Sequence, residues 1–276
     1  MTKTAVSESL PDDLVRAVRQ LGNEEWYFRQ DLFRDDDIWL ASYPRSGSHF
    51  IRFIIHSARH FVRHGSFPAD LSGMKSIPDV HSRRLEYADV SPRVIKTHFP
   101  FDPRYRHVIH LIRDPRDVIV SYFHYSKGLP HLFSESVPER MKLPQFIELF
   151  LQGRVWPGDI RAHSASYSGQ SGSTRYTCIR YEQLLAEPQQ EYRRLLEAVG
   201  VDFPAQTLGA LIEHTSFASM RRLHQPQTAR AGFVESNPVH ILRSGTAGQY
   251  AQTLRDRTRE RIASELGAYL KEYGYR

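Results

Sequence analysis

A chain of 276 residues, 40% hydrophobic and 25% charged, can bury a full core and is too apolar to remain unfolded. Its 37 basic residues against 31 acidic ones leave a net charge of +6, an excess too small and too scattered to demand nucleic acid and equally suited to a small polyanionic ligand. The one cysteine, Cys178, excludes an internal disulfide, and no apolar run reaches membrane-spanning length.

Residues 1–9 lack the apolar stretch of a signal peptide; residues 1–10 are expected to be a loose tail and the protein cytoplasmic. The first buried strand is expected at 38–43, followed by a helix over 47–62. In that helix Phe50, Ile51, Ile54, Ile55, Ala58, Phe61 and Val62 form an apolar stripe, with Arg52, His56, Arg59 and Arg63 on the opposite face. His56, His60 and His64 recur on this solvated face at four-residue spacing, without a carboxylate or cysteine to complete a metal site.

Further strands are expected at 93–97, 107–112 and 175–180, with Cys178 a small core residue in the last. Helical patterns cover 115–125, 144–151 and 189–199, the first opened by Asp114 as N-cap and Pro115 in the first turn. Strands alternating with helices predict an α/β fold of three layers, a central, mostly parallel sheet flanked by helices, as one domain over 1–276. Long irregular stretches at 64–92, 126–143 and 221–240 are the places where function is expected, since loops of that length in a compact domain rarely serve connection alone.

Three places carry chemistry. Between the first strand and the first helix, Arg45, Ser46, Gly47, Ser48, His49 and Phe50 combine a glycine that permits close backbone approach, hydroxyl donors, a fixed cation and the positive end of a helix. That is an anion cradle, but not a Walker A loop, because no lysine follows the glycine. Arg113 closes the third strand with Ser121 two turns along the next helix; it can grip a second anion or pair with Asp117. Lys96 and His98, two apart at the end of the second strand, project from the same face, where a histidine can take a proton and an ammonium can meet charge on a leaving oxygen.

These pieces resemble, in order and in placement, the family of sulfotransferases that use 3′-phosphoadenosine-5′-phosphosulfate (PAPS). Tyr43–Phe50 is similar to the family's 5′-phosphosulfate loop YPKSGTTW, and Lys96–Pro100 to KTHLP. Arg113–Tyr122 resembles the 3′-phosphate motif RNPKDVAVSYY, with Arg and Ser eight apart in both. Arg180–Leu184 resembles the YED segment, Thr215–Met220 the TSFxxM segment and Leu242–Gly248 the FMRKGxxGDW segment.

The resemblance implies a P-loop-like fold and sulfuryl transfer from PAPS to a hydroxyl or amine of a small-molecule acceptor, releasing 3′-phosphoadenosine-5′-phosphate (PAP), with no metal. It implies catalytic roles for His98, Lys96 and Arg45, and donor contacts from residues 45–50, Arg113, Ser121, Tyr181, Ser216, Phe217, Leu242, Arg243, Ser244 and Gly245. Arg45 stands where the family has lysine, His49 where it has threonine, Phe50 where it has tryptophan and Ser244 where it has lysine. No match to the KTVE dimer motif is present, so a homodimer remains open. The rings of Phe99, Phe101, Tyr105, Trp156 and Tyr167 are candidates for an acceptor pocket. Two other readings compete: a nucleotide-dependent kinase with Asp114 on magnesium, and a non-enzymatic polyanion binder.

Overall fold

Alternation along each apolar run decides the architecture. In the computed structural model, which describes residues 10–29, 32–82, 91–127, 129–138, 140–170, 174–230 and 245–276, strands β1 (Ile38–Ser42), β2 (Val94–Thr97), β3 (His107–Ile112) and β4 (Arg175–Arg180) form one parallel sheet in the order β2-β1-β3-β4. Leu40 lies opposite both Lys96 and Ile109. Successive residues of a strand point to opposite faces. Trp39, Ala41, Ile95, Val108 and Ile112 accordingly enter one core, while Ile38, Leu40, Val94, Ile109 and Leu111 enter the other.

Each core is closed by helices. The first receives α1 (Asp12–Gln20), α3 (Pro115–Ser126), α4 (Leu143–Leu151) and α5 (Ile160–Ser168), through residues such as Leu14, Val118, Phe146 and Tyr167. The second receives α2 (Ser48–His64), α6 (Tyr181–Ala186), α7 (Pro188–Ala198) and α8 (Leu208–His214), through Ile51, Ile54, Leu184, Leu195 and Leu211. Parallel strands buried on both faces give the three layers expected. At the start of the sheet Arg93 grips Asp37 through two 2.7 Å bonds, with both side chains buried, so each charge satisfies the other.

Several expectations change. The outer side of α2 is not a solvated face along its length: residues 72–76 and 80–82 form short 3₁₀ turns, and the first of these covers it. Arg52 donates to the Met74 carbonyl at 3.0 Å and Arg59 to the Pro92 carbonyl at 3.2 Å. His56 is buried against Gly73, where a Cβ would lie 2.1 Å from the ring; burial, then His60, lowers its pKa to about 4. Conversely Val62, placed in the apolar stripe, is exposed because the core ends one turn earlier. Cys178 is half-buried, since β4 is an edge strand among the described ones. The irregular stretch from 221 begins as helix α9 (Phe217–Arg230); residues 231–244, with Leu242, Arg243 and Ser244, lie outside the described residues.

Candidate active site

The loop after β1 is held in a conformation that side chains usually avoid. Arg45 has φ of 72° and Gly47 has φ of 107°; for a residue with a Cβ the left-handed region costs about 1–2 kcal/mol. At Gly47 a Cβ would sit 2.5 Å from Cδ2 of Tyr181, so glycine is needed for space as well as for φ. Helix α2 then starts without a side-chain cap. Its first-turn N–H groups and positive dipole end therefore face the loop. Ser46 and Ser48 are buried beside them. From the loop Arg45 reaches α3, donating Nε–H to Ser121 Oγ at 3.1 Å, its guanidinium 4.8 Å from the Tyr125 ring centre.

Arg113, at the end of β3, ties this loop to a distant part of the chain. It donates to the Arg45 carbonyl at 3.2 Å and to the Thr246 carbonyl at 3.1 Å, and its guanidinium lies 4.4 Å from the Tyr181 ring centre. Asp117, one turn into α3, stands 3.5 Å from Arg113 and accepts from the backbone N–H groups of Gly248 and Tyr250 at 2.7 and 2.9 Å. The pairing with Asp117 that the sequence allows is thus a loose one, because Asp117 spends most of its acceptor capacity on the returning loop. Phe217, at the start of α9, packs on Gly245, where a Cβ would lie 2.2 Å from its ring.

The donor set suits a ligand with two separated anionic groups. Arg113 is buried, yet its Nε has no hydrogen-bond partner among the described residues. An unmet buried donor of a charged group is costly. An anion beside Arg113 would meet it, and the uncapped N–H groups at the start of α2 offer a place for a second one. These residues fit the donor that the motifs imply.

The Lys96–His98 pair is more tightly held than the sequence suggests. Lys96 is buried and forms an ion pair with the half-buried Asp79. His98 Nδ1 lies 2.6 Å from the Ser42 carbonyl oxygen. A carbonyl can only accept, so Nδ1 carries the proton and Nε2 keeps its lone pair. The backbone N–H of His98 donates to His81 Nε2 at 2.8 Å, and the two rings are nearly parallel at 5.6 Å. Burial first, then the Lys96 charge, pushes His98 well below the ordinary histidine value, so it is neutral at pH 7. His49, beside Arg52, Lys96 and Arg45, is likewise neutral, chiefly through burial.

Residues 45–50, Lys96, His98, Arg113, Ser121, Tyr181 and Gly245 therefore gather at the C-terminal ends of β1, β2 and β3, the usual ligand edge of a parallel sheet. Tyr181 serves as a floor under Gly47 and Arg113. Of the aromatic candidates, Phe99 and Trp156 flank His81, at 4.3 and 5.1 Å between ring centres. All five aromatic candidates, these two included, are buried in the first core, and Tyr105 stacks on Trp39 at 3.8 Å. Asp79 and His81 escaped the sequence reading. Their one signal was position in a long loop preceding the Lys–His strand.

A parallel sheet with uncapped helix N–H groups, arginines and a neutral histidine beside a lysine at its strand ends is an arrangement that transfer of an anionic group can use. Residues 35–274 match the model of the sulfotransferase domain family. The chain is 29% identical to human Sulfotransferase 2B1 over 203 residues, covering 70% of this chain and 53% of that protein. It is 26% identical to rat Sulfotransferase 1E1 over 266 residues, covering 87% and 85%. In structure it resembles mouse sulfotransferase SULT7A1 complexed with PAP (TM-score 0.65, 21% identity, 87% of this chain and 86% of that one). It also resembles retinol dehydratase complexed with retinol and PAP (TM-score 0.67, 19% identity, 87% and 82%). The chain belongs to the sulfotransferase family and is a PAPS-dependent sulfotransferase with its P-loop-like fold. No helix among the described residues is long and apolar enough to cross a membrane.

Proposed function

We propose that the chain transfers a sulfuryl group from PAPS to a hydroxyl or amine of a small-molecule acceptor, with His98 as general base. The bound donor supplies an activated sulfuryl group, and what the protein must add is a deprotonated acceptor and charge stabilisation at the departing phosphate oxygen. Residues 45–50 hold the 5′ end through helix N–H groups and Arg45, while Arg113, Ser121 and the loop from Gly245 hold the 3′-phosphate. Lys96 meets the charge on the departing oxygen. A kinase reading finds little support, because Asp114 caps α3 and holds Arg116 through bonds of 2.9 and 2.7 Å.

The observation that carries the proposal is the 2.6 Å contact of His98 Nδ1 with the Ser42 carbonyl, which leaves Nε2 as the proton acceptor. His98→Ala should lower turnover with PAPS by about 10²–10⁴-fold across phenol, alkyl alcohol and amine acceptors, while calorimetry shows PAP affinity close to wild type. Near-native turnover would remove His98 as the base. Since its pKa is depressed, wild-type turnover should persist as pH falls through 6.5 and fail only below.

A further inference from the structure

We infer that Asp79 is a positioning residue for the transfer, its carboxylate holding the Lys96 ammonium in place and charged at the end of β2. The inference rests on the reading that Lys96 serves the departing oxygen. Its support is geometric. Residue 79 bridges to Lys96 in parallel, and the Lys96 backbone N–H donates to the Pro78 carbonyl at 2.9 Å, so the two residues are locked in register. One carboxylate oxygen accepts from the His81 backbone N–H at 3.0 Å, and the other takes the Lys96 ammonium. The carboxylate is thus oriented by backbone on one side and aimed at Nζ on the other.

Lys96 needs such a partner. Its side chain is 7% exposed. Arg52 and His49 face it from α2, Arg45 from the anion loop, and His81 and His98 from the neighbouring turns. Burial first, and then the two arginines, push the lysine pKa down, whereas Asp79 pushes it up. The Asp79 carboxyl itself, although burial would raise it, is held far below its ordinary value by Lys96, His81 and His98. A neutral amine could not stabilise a leaving phosphate oxygen, so a cluster assembled to attract anions must also keep this proton on. An ammonium has three donors; with one on Asp79, the others remain for ligand. The side chains of Asp79 and Lys96 are 23% and 7% exposed, so the carboxylate, not the lysine, lies nearer the solvent.

The test is a titration of the free protein by NMR, with lysine labelled at the ε-carbon and the Lys96 signal assigned by Lys96→Arg. In Asp79→Asn the acid dissociation constant of Lys96 should rise at least tenfold, about one pH unit, and Asp79→Glu should restore most of the wild-type value. An unchanged Lys96 titration in Asp79→Asn overturns the proposal, as does failure of Asp79→Glu to restore it. Calorimetry with PAP across pH is the second readout: the alkaline loss of affinity should move to lower pH in Asp79→Asn by the same amount. A shifted lysine with PAP binding that keeps the wild-type pH dependence overturns the link to the donor. PAP failing to bind the wild type sinks the sulfotransferase reading and the role in transfer with it, and the titration still reports separately on the ion pair. Where Asp79→Asn does not fold, Lys96→Met gives the same comparison from the other side. By reciprocity of coupling the Asp79 dissociation constant must then fall at least tenfold, and an unchanged value overturns the proposal.

Discussion

Arg113→Ala separates the two anion loci. The wild-type guanidinium makes hydrogen bonds of 3.2 and 3.1 Å to the Arg45 and Thr246 carbonyls, and its Nε has no partner among the described residues. A lost hydrogen bond to a charged group is worth about 1.5–3 kcal/mol, roughly a 10- to 150-fold change in affinity. For PAP that loss falls on the 3′-phosphate. Adenosine 5′-phosphosulfate lacks this phosphate, so it should lose only what the loosened Arg45 loop costs, about 0.5–1.5 kcal/mol or up to roughly tenfold. The fold should survive: the Arg113 carbonyl still accepts from Tyr269 at 3.1 Å, and Asp117 keeps the Gly248 and Tyr250 amides. The assay is calorimetry of both nucleotides against wild type and variant, without added metal, beside a thermal melt. Equal losses for the two would refute the 3′-phosphate assignment and make Arg113 a strut between loops.

Gly47→Ala must place a Cβ 2.5 Å from Tyr181 at φ of 107°, so the loop has to move; PAP affinity should drop about 5- to 30-fold, from strain of about 1–2 kcal/mol, with the melting temperature lowered. Unaltered PAP binding would show that the loop backbone does not touch the donor. Stability should also fall with acid. Burial depresses His56, His81 and His163 to about 4 and His110 to about 3, so the unfolded chain, titrating near 6.5, binds protons that the native state refuses. The stability these groups contribute is complete above pH 6.5 and is lost as pH falls towards 4. For fully buried His163 the loss is about 3 kcal/mol below both values. Denaturant midpoints that stay flat between pH 7 and 5 would contradict those burials.

Much of this protein was legible in the amino-acid order because the decisive signals are local. Short continuous apolar runs placed the four described strands to within a residue, since a strand buried on both faces of a parallel sheet is apolar at nearly every position. Asp114-Pro115 set the start of α3 through a cap that needs only neighbouring atoms. Gly47, Arg113, Lys96 and His98 could be singled out because strand ends and helix starts fall at known offsets from those runs. What tertiary structure alone decided lies between elements distant in sequence. The outer face of α2 looked solvated until residues 72–76 lay across it, and only then was His56 buried. Asp79 and His81 belong to no periodic segment, yet they meet Lys96 and His98 because residues 78–79 run alongside β2. The protonation of the Lys96–His98 pair followed the same division. Sequence supplied a lysine and a histidine two apart. That one stays charged and the other neutral depends on burial, on a carboxylate 17 positions away and on a carbonyl 56 positions away, none of which spacing along the chain encodes.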